Sequence, residues 1–150
     1  MTLRLASSAF RSGDKIPLRF TCEGADVSPP LSWSGAPEKT RSFAIICSDP
    51  DAPGGTFYHW AVFDLPAGTT ELAESGTTTG AREAVNDFGK TGYGGPCPPH
   101  GHGTHHYRFH LLALDADRLP AGRRPSCRDV ERVSKEHALA EAELVGTFAR

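Results

Sequence analysis

The 150-residue chain contains no Cys-x-x-Cys pair, no Gly-x-Ser-x-Gly turn and no Gly-x-x-x-x-Gly-Lys loop. The first absence argues against a zinc knuckle or a thioredoxin-like centre. The second excludes a nucleophile elbow of the hydrolase type, and the third excludes a P-loop phosphate cradle. No stretch approaches the roughly 18 apolar residues of a membrane-spanning helix. The opening residues, MTLRLASSAFRSGDKIPLRF, lack the basic start and apolar run of a secretory leader, so a cytoplasmic address is expected. Charge is nearly balanced, with a formal net of -2, and no basic-aromatic stripe is present. No global field therefore draws the molecule to nucleic acid or an anionic membrane, and any affinity for an anion has to be local. Repeats, charge blocks and linkers are absent too, which predicts a single domain over 1–150, long enough to bury roughly 70% of its unfolded surface.

The four cysteines, Cys22, Cys47, Cys97 and Cys127, lie far apart. Dispersed free thiols in a reducing cytosol are the expectation; in an exported protein, up to two disulfides could form, with the pairing open. Cys47 falls in an apolar run, where a thiol is usually inert.

Prolines and glycines punctuate short β-like runs along the chain, which predicts a mainly β fold with a helical tail. The clearest buried strand is Ser42 to Ser48, halted by Asp49-Pro50-Asp51-Ala52-Pro53-Gly54-Gly55. A second runs from His59 to Leu65, and a third from His105 to Leu114 follows a Gly/Pro/His loop, 92–103. Alternation in the third puts His105, Tyr107, Phe109 and Leu111 on one face, with His106, Arg108 and His110 on the other. Near the C-terminus, Ser126-Cys127-Arg128-Asp129 has the form of a capping box. Val130, Val133, His137, Ala140, Leu144 and Phe148 follow at helical spacing, so an amphipathic helix, in one or two pieces, is expected to the end of the chain.

Chemistry concentrates where these strands meet their loops. Asp49, at a buried strand end, needs donors, and its short separation from His59 suggests that it orients that imidazole. Asp51 is expected to close an Asx-turn. In the Gly/Pro loop, successive glycine N–H groups could form a concave anion nest held in shape by prolines. His105 and Tyr107 would add an N–H and an O–H donor, so that with His59 they could bind a small oxyanion. Asp49 would then have to pair with a protonated histidine or stand one layer behind. Metal binding competes for His100, His102, His105 and His106, but adjacent strand residues point to opposite faces and cannot share one ion. No metal set, cofactor site or catalytic residue is expected, although a Cys97 dyad with His59 or His105 is a conceivable reactive pair.

Three strings together resemble the phosphatidylethanolamine-binding protein family, also called Raf-kinase-inhibitor-like, in its bacterial branch. They are Asp49-Pro50-Asp51-Ala52-Pro53, His59-Trp60-Ala61-Val62, and Gly94-Gly95-Pro96-Cys97-Pro98-Pro99 leading to His105-His106-Tyr107. Supporting matches are Thr21-Cys22-Glu23-Gly24, Ser28-Pro29-Pro30-Leu31-Ser32-Trp33, Asn86-Asp87-Phe88-Gly89 and Glu143-Leu144-Val145-Gly146-Thr147. The resemblance implies a Greek-key β-sandwich with a C-terminal helix and short flanking helices. It implies a shallow anion pocket formed by Asp49, His59, His105 and Tyr107, with Gly95, Cys97, Pro98 and Pro99 on its wall. His106 stands where many eukaryotic relatives carry Arg. The expected function is non-catalytic binding of small phosphate- or carboxylate-bearing ligands such as phospholipid headgroups, with a homodimer and a protein partner as further expectations. The alternatives are a regulator of kinase or phosphoprotein partners through the same pocket, and a hydrolase using His59 and His105 or Cys97.

Overall fold

The runs Ser42–Asp49 and Phe57–Pro66 are apolar at nearly every position, as strands covered on both faces must be. In the computed structural model, which describes residues 2–150, these runs are β3 and β4, the middle of a five-stranded sheet. The other strands are β1 (Arg4–Ala6), β2 (Leu31–Ser34), β5 (Glu71–Leu72), β6 (Arg82–Glu83), β7 (His105–Leu114) and β8 (Ala138–Phe148). The large sheet has the order β6-β4-β3-β7-β8, and β1-β2-β5 form a smaller one. One α-helix, α1 (Cys127–Glu136), and a 3-10 turn at Leu18–Phe20 complete the elements among the described residues.

Two apolar layers flank the large sheet. Phe43, Ile45, Cys47, Trp60, Val62, Phe109 and Leu111 pack with Leu5 and Trp33 of the small sheet. Ala44, Ile46, Ala61, Phe63, Leu112 and Leu114 pack instead with Val130 and Val133 of α1. Alternation thus sends odd residues of β3 to one layer and even residues to the other, with no face left for water. β7 toward its N-terminal end shows a half-solvated pattern, with His106 and Arg108 exposed while His105, Tyr107 and Phe109 are buried.

The helical tail is half helix. Ser126 caps α1 as its sequence suggests, its hydroxyl accepting the Asp129 N–H at 3.1 Å. The helix ends at Glu136, and Ala138–Phe148 become β8, paired along the whole of β7 from His105↔Phe148 to Leu114↔Ala138. Leu144 and Phe148, four apart, satisfy a helical stripe and a strand face equally, since four is also two periods of a strand. Long-range pairing with β7 decides between them.

Gly146 lies opposite Tyr107 in that pairing. A Cβ there would overlap Ile16 Cγ1 and Phe10 Cε2, both in the buried layer. We expect Gly146→Ala to lower the unfolding free energy by about 1–3 kcal/mol through overpacking. Urea denaturation checks this, and an unchanged midpoint would contradict the packing account.

Candidate functional site

Asp49 is the last residue of β3, His105 and Tyr107 are the first and third of β7, and His59 is the third of β4. Three neighbouring strands thus deliver these side chains to one rim of the sheet. His59 arrives through an irregularity: Cys47 pairs with Trp60 and Ser48 with Tyr58, so His59 is an extra residue without a partner in β3. Such a bulge flips the facing of the chain. Trp60 and Val62 belong to the layer under the small sheet, whereas Tyr58 belongs with the helix layer. His59 is turned toward Tyr107, with ring centroids 5.3 Å apart.

The four side chains line a cavity of about 190 Å³ together with Cys97, Pro98 and Pro99. Gly95 does not line it. The Gly95 N–H donates to Asp26 Oδ1 at 2.8 Å, and a Cβ at that position would overlap the Phe20 carbonyl. Gly95 is therefore a packing glycine behind the wall. The anion nest expected from the loop does not form from Gly92, Gly94, Gly95 and Gly101, because their N–H groups are already taken. Gly92 donates to the Ala84 carbonyl at 3.1 Å, Gly94 to that of His59 at 2.9 Å and Gly101 to that of Arg150 at 2.9 Å. Donors toward the cavity come from side chains.

Asp49 is 3% exposed and His105 1%. Asp49 Oδ2 stands 2.6 Å from His105 Nδ1, which therefore carries the proton. It is His105, not His59, that the carboxylate orients, since the loop carries the chain past Asp49 before β4 begins and β7 lies on its other side. Asp49 Oδ1 accepts the Asp51 N–H at 2.8 Å, so the Asx-turn belongs to Asp49. Asp51 instead faces outward and takes both the backbone N–H and Nδ1 of His106, each at 2.8 Å. That hydrogen bonding from His106 holds its carboxyl below the ordinary aspartate value. His106 is exposed on the opposite face, as alternation predicts.

His59 Nδ1–H donates to the Gly94 carbonyl at 2.7 Å, which leaves Nε2 as the ring nitrogen free of that bond. Phe57 and Phe88 close around the ring, with centroids at 4.9 and 5.5 Å. This burial pushes the His59 pKa below the ordinary histidine value, against the opposing pull of the Gly94 carbonyl and Asp49. Tyr107 is fully buried, and its hydroxyl has no hydrogen-bond partner. Burial, followed by the charge of Asp49, raises its pKa far above that of a free phenol, so the group stays an O–H donor. A buried donor left unmet is destabilising unless something occupies the cavity beside it.

Two features escaped sequence reasoning. Cys22 and Cys97 are disulfide-bonded, with Cα atoms 5.4 Å apart, while Cys47 and Cys127 stay free and buried. Free thiols were expected at all four; an even cysteine count was the only sequence signal, and it could not select a pair. With Cys97 in a disulfide, the dyads with His59 and His105 lose their thiol. Burial pushes the Cys47 thiol well up and the Cys127 thiol to about 12, consistent with inert core positions. The aromatic rim of Phe57 and Phe88 was also missed. Of the two loop histidines that the sequence left able to join His105, His102 does so and His100 does not: His102 Nδ1 lies 2.6 Å from His105 Nε2. Among the described residues, no group of three or more His, Cys, Asp or Glu is placed to hold a metal.

A two-sheet, mostly β domain with one packed helix and an imidazole-lined cavity at the sheet rim defines a class of ligand-binding scaffold. The family model for phosphatidylethanolamine-binding protein matches residues 6–149, and the chain belongs to that family. The chain is 43% identical over 152 residues to the UPF0098 protein of Aquifex aeolicus, covering 99% of this chain and 89% of the relative. The LppC protein of Mycobacterium tuberculosis is 42% identical over 147 residues, covering 97% of this chain and 72% of LppC. The crystal structure of Escherichia coli YbcL superposes with a TM-score of 0.95 at 34% identity, covering 100% of this chain and 99% of that one.

Two predictions come from this geometry. The Cys22–Cys97 bond spans 75 residues, so Cys97→Ser should lower the unfolding free energy by about 2–4 kcal/mol in non-reducing urea titrations. Loss of less than about 0.5 kcal/mol would show that the bond does not restrain the chain. Tyr107→Phe removes a buried hydroxyl that has no partner, and should leave the ligand-free protein equally stable or up to about 2 kcal/mol more stable. A clear loss of stability in the same titration would mean that the hydroxyl is satisfied in the empty protein.

Proposed function

We propose that the chain is a non-catalytic binding protein for small anionic ligands bearing a phosphate or carboxylate group, such as phospholipid headgroups. The observation that carries this reading is the fully buried Tyr107 hydroxyl, unpartnered on the wall of a cavity that His59 and His105 also line. Family membership supports a binding role. At about 190 Å³ the cavity is smaller than the roughly 300–1,000 Å³ of drug-sized sites, and it suits a headgroup-sized moiety. Proline and phenylalanine on the wall dry the site, which strengthens each hydrogen bond to a bound oxyanion. A cysteine hydrolase is disfavoured because Cys97 is bonded and the Cys47 thiol is held protonated by burial.

The disulfide bears on location. No helix among the described residues is long and apolar enough to cross a membrane. Cys22–Cys97 pairing favours an oxidising compartment over the cytoplasmic address expected from the opening residues, since reducing cytosol keeps such thiols apart.

Calorimetry with inorganic phosphate and phosphoethanolamine tests the proposal. Tyr107→Phe should weaken binding roughly tenfold or more, the size of a hydrogen bond to a charged group. Equal heats from wild type and variant would overturn the pocket assignment. Sulfate, whose charge is constant from pH 4 to 8, isolates the protein's own protons. Neutral His59 offers the anion a lone pair at Nε2, whereas its imidazolium offers an N–H. A bound anion raises the His59 pKa from its depressed free value. Affinity should therefore be greatest below that free value and fall as pH rises through the window up to the bound-state value. A flat sulfate profile would contradict an imidazolium contribution.

A further inference from the structure

Buried His105 has both ring nitrogens occupied, although its ring lines the cavity. Asp49 holds Nδ1 from β3, and His102 Nδ1 holds Nε2 at 2.6 Å. Tyr107, stacked with centroids 6.3 Å away, is the titratable neighbour on its own strand. A nitrogen-nitrogen hydrogen bond contains one proton. Either His105 donates to a neutral His102, or a neutral His105 accepts from it, and in both cases Nε2 is unavailable to an incoming anion.

His102 itself is exposed and is flanked by two left-handed glycines. Gly101 has φ +75° and Gly103 φ +97°, and an added Cβ on either would meet nothing within 4 Å. His102 is exposed and the space beside both glycines is open, so its imidazole can turn about its own side-chain dihedrals without disturbing the core. The turn stays tethered on either side of His102: Gly101 N–H donates to the Arg150 carbonyl at 2.9 Å, and β7 begins at His105.

We propose that His102 is a displaceable cap: it satisfies His105 in the ligand-free site, and an anion must turn it away to reach Nε2, either accepting Nε2–H from a protonated ring or, as hydrogen phosphate, donating its own O–H to the neutral ring. This rests on the anion-binding reading above and adds a residue that sets the affinity of that site. His102 competes with the ligand for one nitrogen, so its removal tightens binding. The work of breaking one such bond corresponds to roughly a twofold to tenfold change in affinity.

The test combines phosphate calorimetry on wild type and His102→Ala with nitrogen-15 NMR of the histidine rings. His102 is exposed on an unpacked turn, so the variant should fold as wild type does. The proposal expects His102→Ala to bind phosphate roughly two- to tenfold more tightly. It also expects phosphate to move the wild-type His102 Nδ1 resonance from its hydrogen-bonded position to that of a solvated imidazole. Phosphate binding by both proteins with equal or weaker affinity in the variant would overturn the cap and leave the anion site standing. A wild-type His102 resonance unmoved at saturating phosphate would overturn it in the same way. Absence of phosphate binding by either protein would overturn the anion reading, and the cap with it.

Discussion

A carboxylate with 3% exposure sits at the end of a strand where backbone pairing stops, and it must be met by donors or be driven to neutrality. Asp49 meets this constraint twice over. One oxygen takes the Asp51 N–H and fixes the turn that leaves β3; the other takes His105 Nδ1 and fixes the first residue of β7. The loop geometry, the imidazole's tautomer and the direction of its second nitrogen all follow from those two bonds. The Asp51–His106 pair beside them is exposed and solvated, and contributes far less.

The sheet supplies the rigidity that such a site needs. β3 and β4 are covered on both faces, by the small sheet and by α1, so the strand ends carrying Asp49 and His59 are fixed by the core. The bulge at His59 then does what regular alternation would forbid, placing that ring beside Tyr107 while Tyr58 turns to the helix layer. The opposite wall, Gly94 to Pro99, is tied down by independent means. Gly94 bonds β4, Gly95 bonds Asp26, and Cys97 is joined to Cys22. With both walls held, the unmet Tyr107 hydroxyl has no route to a partner except through the cavity.

Much of this was legible in the sequence where local pattern and burial agree. Period two in β7 placed His105 and Tyr107 on one face and His106 on the other, and the structure has that arrangement. The apolar runs ending at Asp49 and beginning at His59 bracketed the rim. What was illegible depended on long-range choices. Leu144 and Phe148 fit helix and strand alike until β7 is there to pair with. Asp49 is nearer to His59 in sequence but bonds His105, because strand order, not separation, decides neighbours. The Gly-rich loop suggested free N–H groups, yet each of Gly92, Gly94 and Gly95 spends its donor on a distant acceptor.

The most direct measurement of the central claim is a crystal structure of the protein grown with inorganic phosphate. The account predicts density for the ion in the cavity, with a phosphate oxygen within hydrogen-bond distance of Tyr107 Oη. Phosphate bound elsewhere, with the cavity unfilled and the Tyr107 hydroxyl still unpartnered, would contradict it.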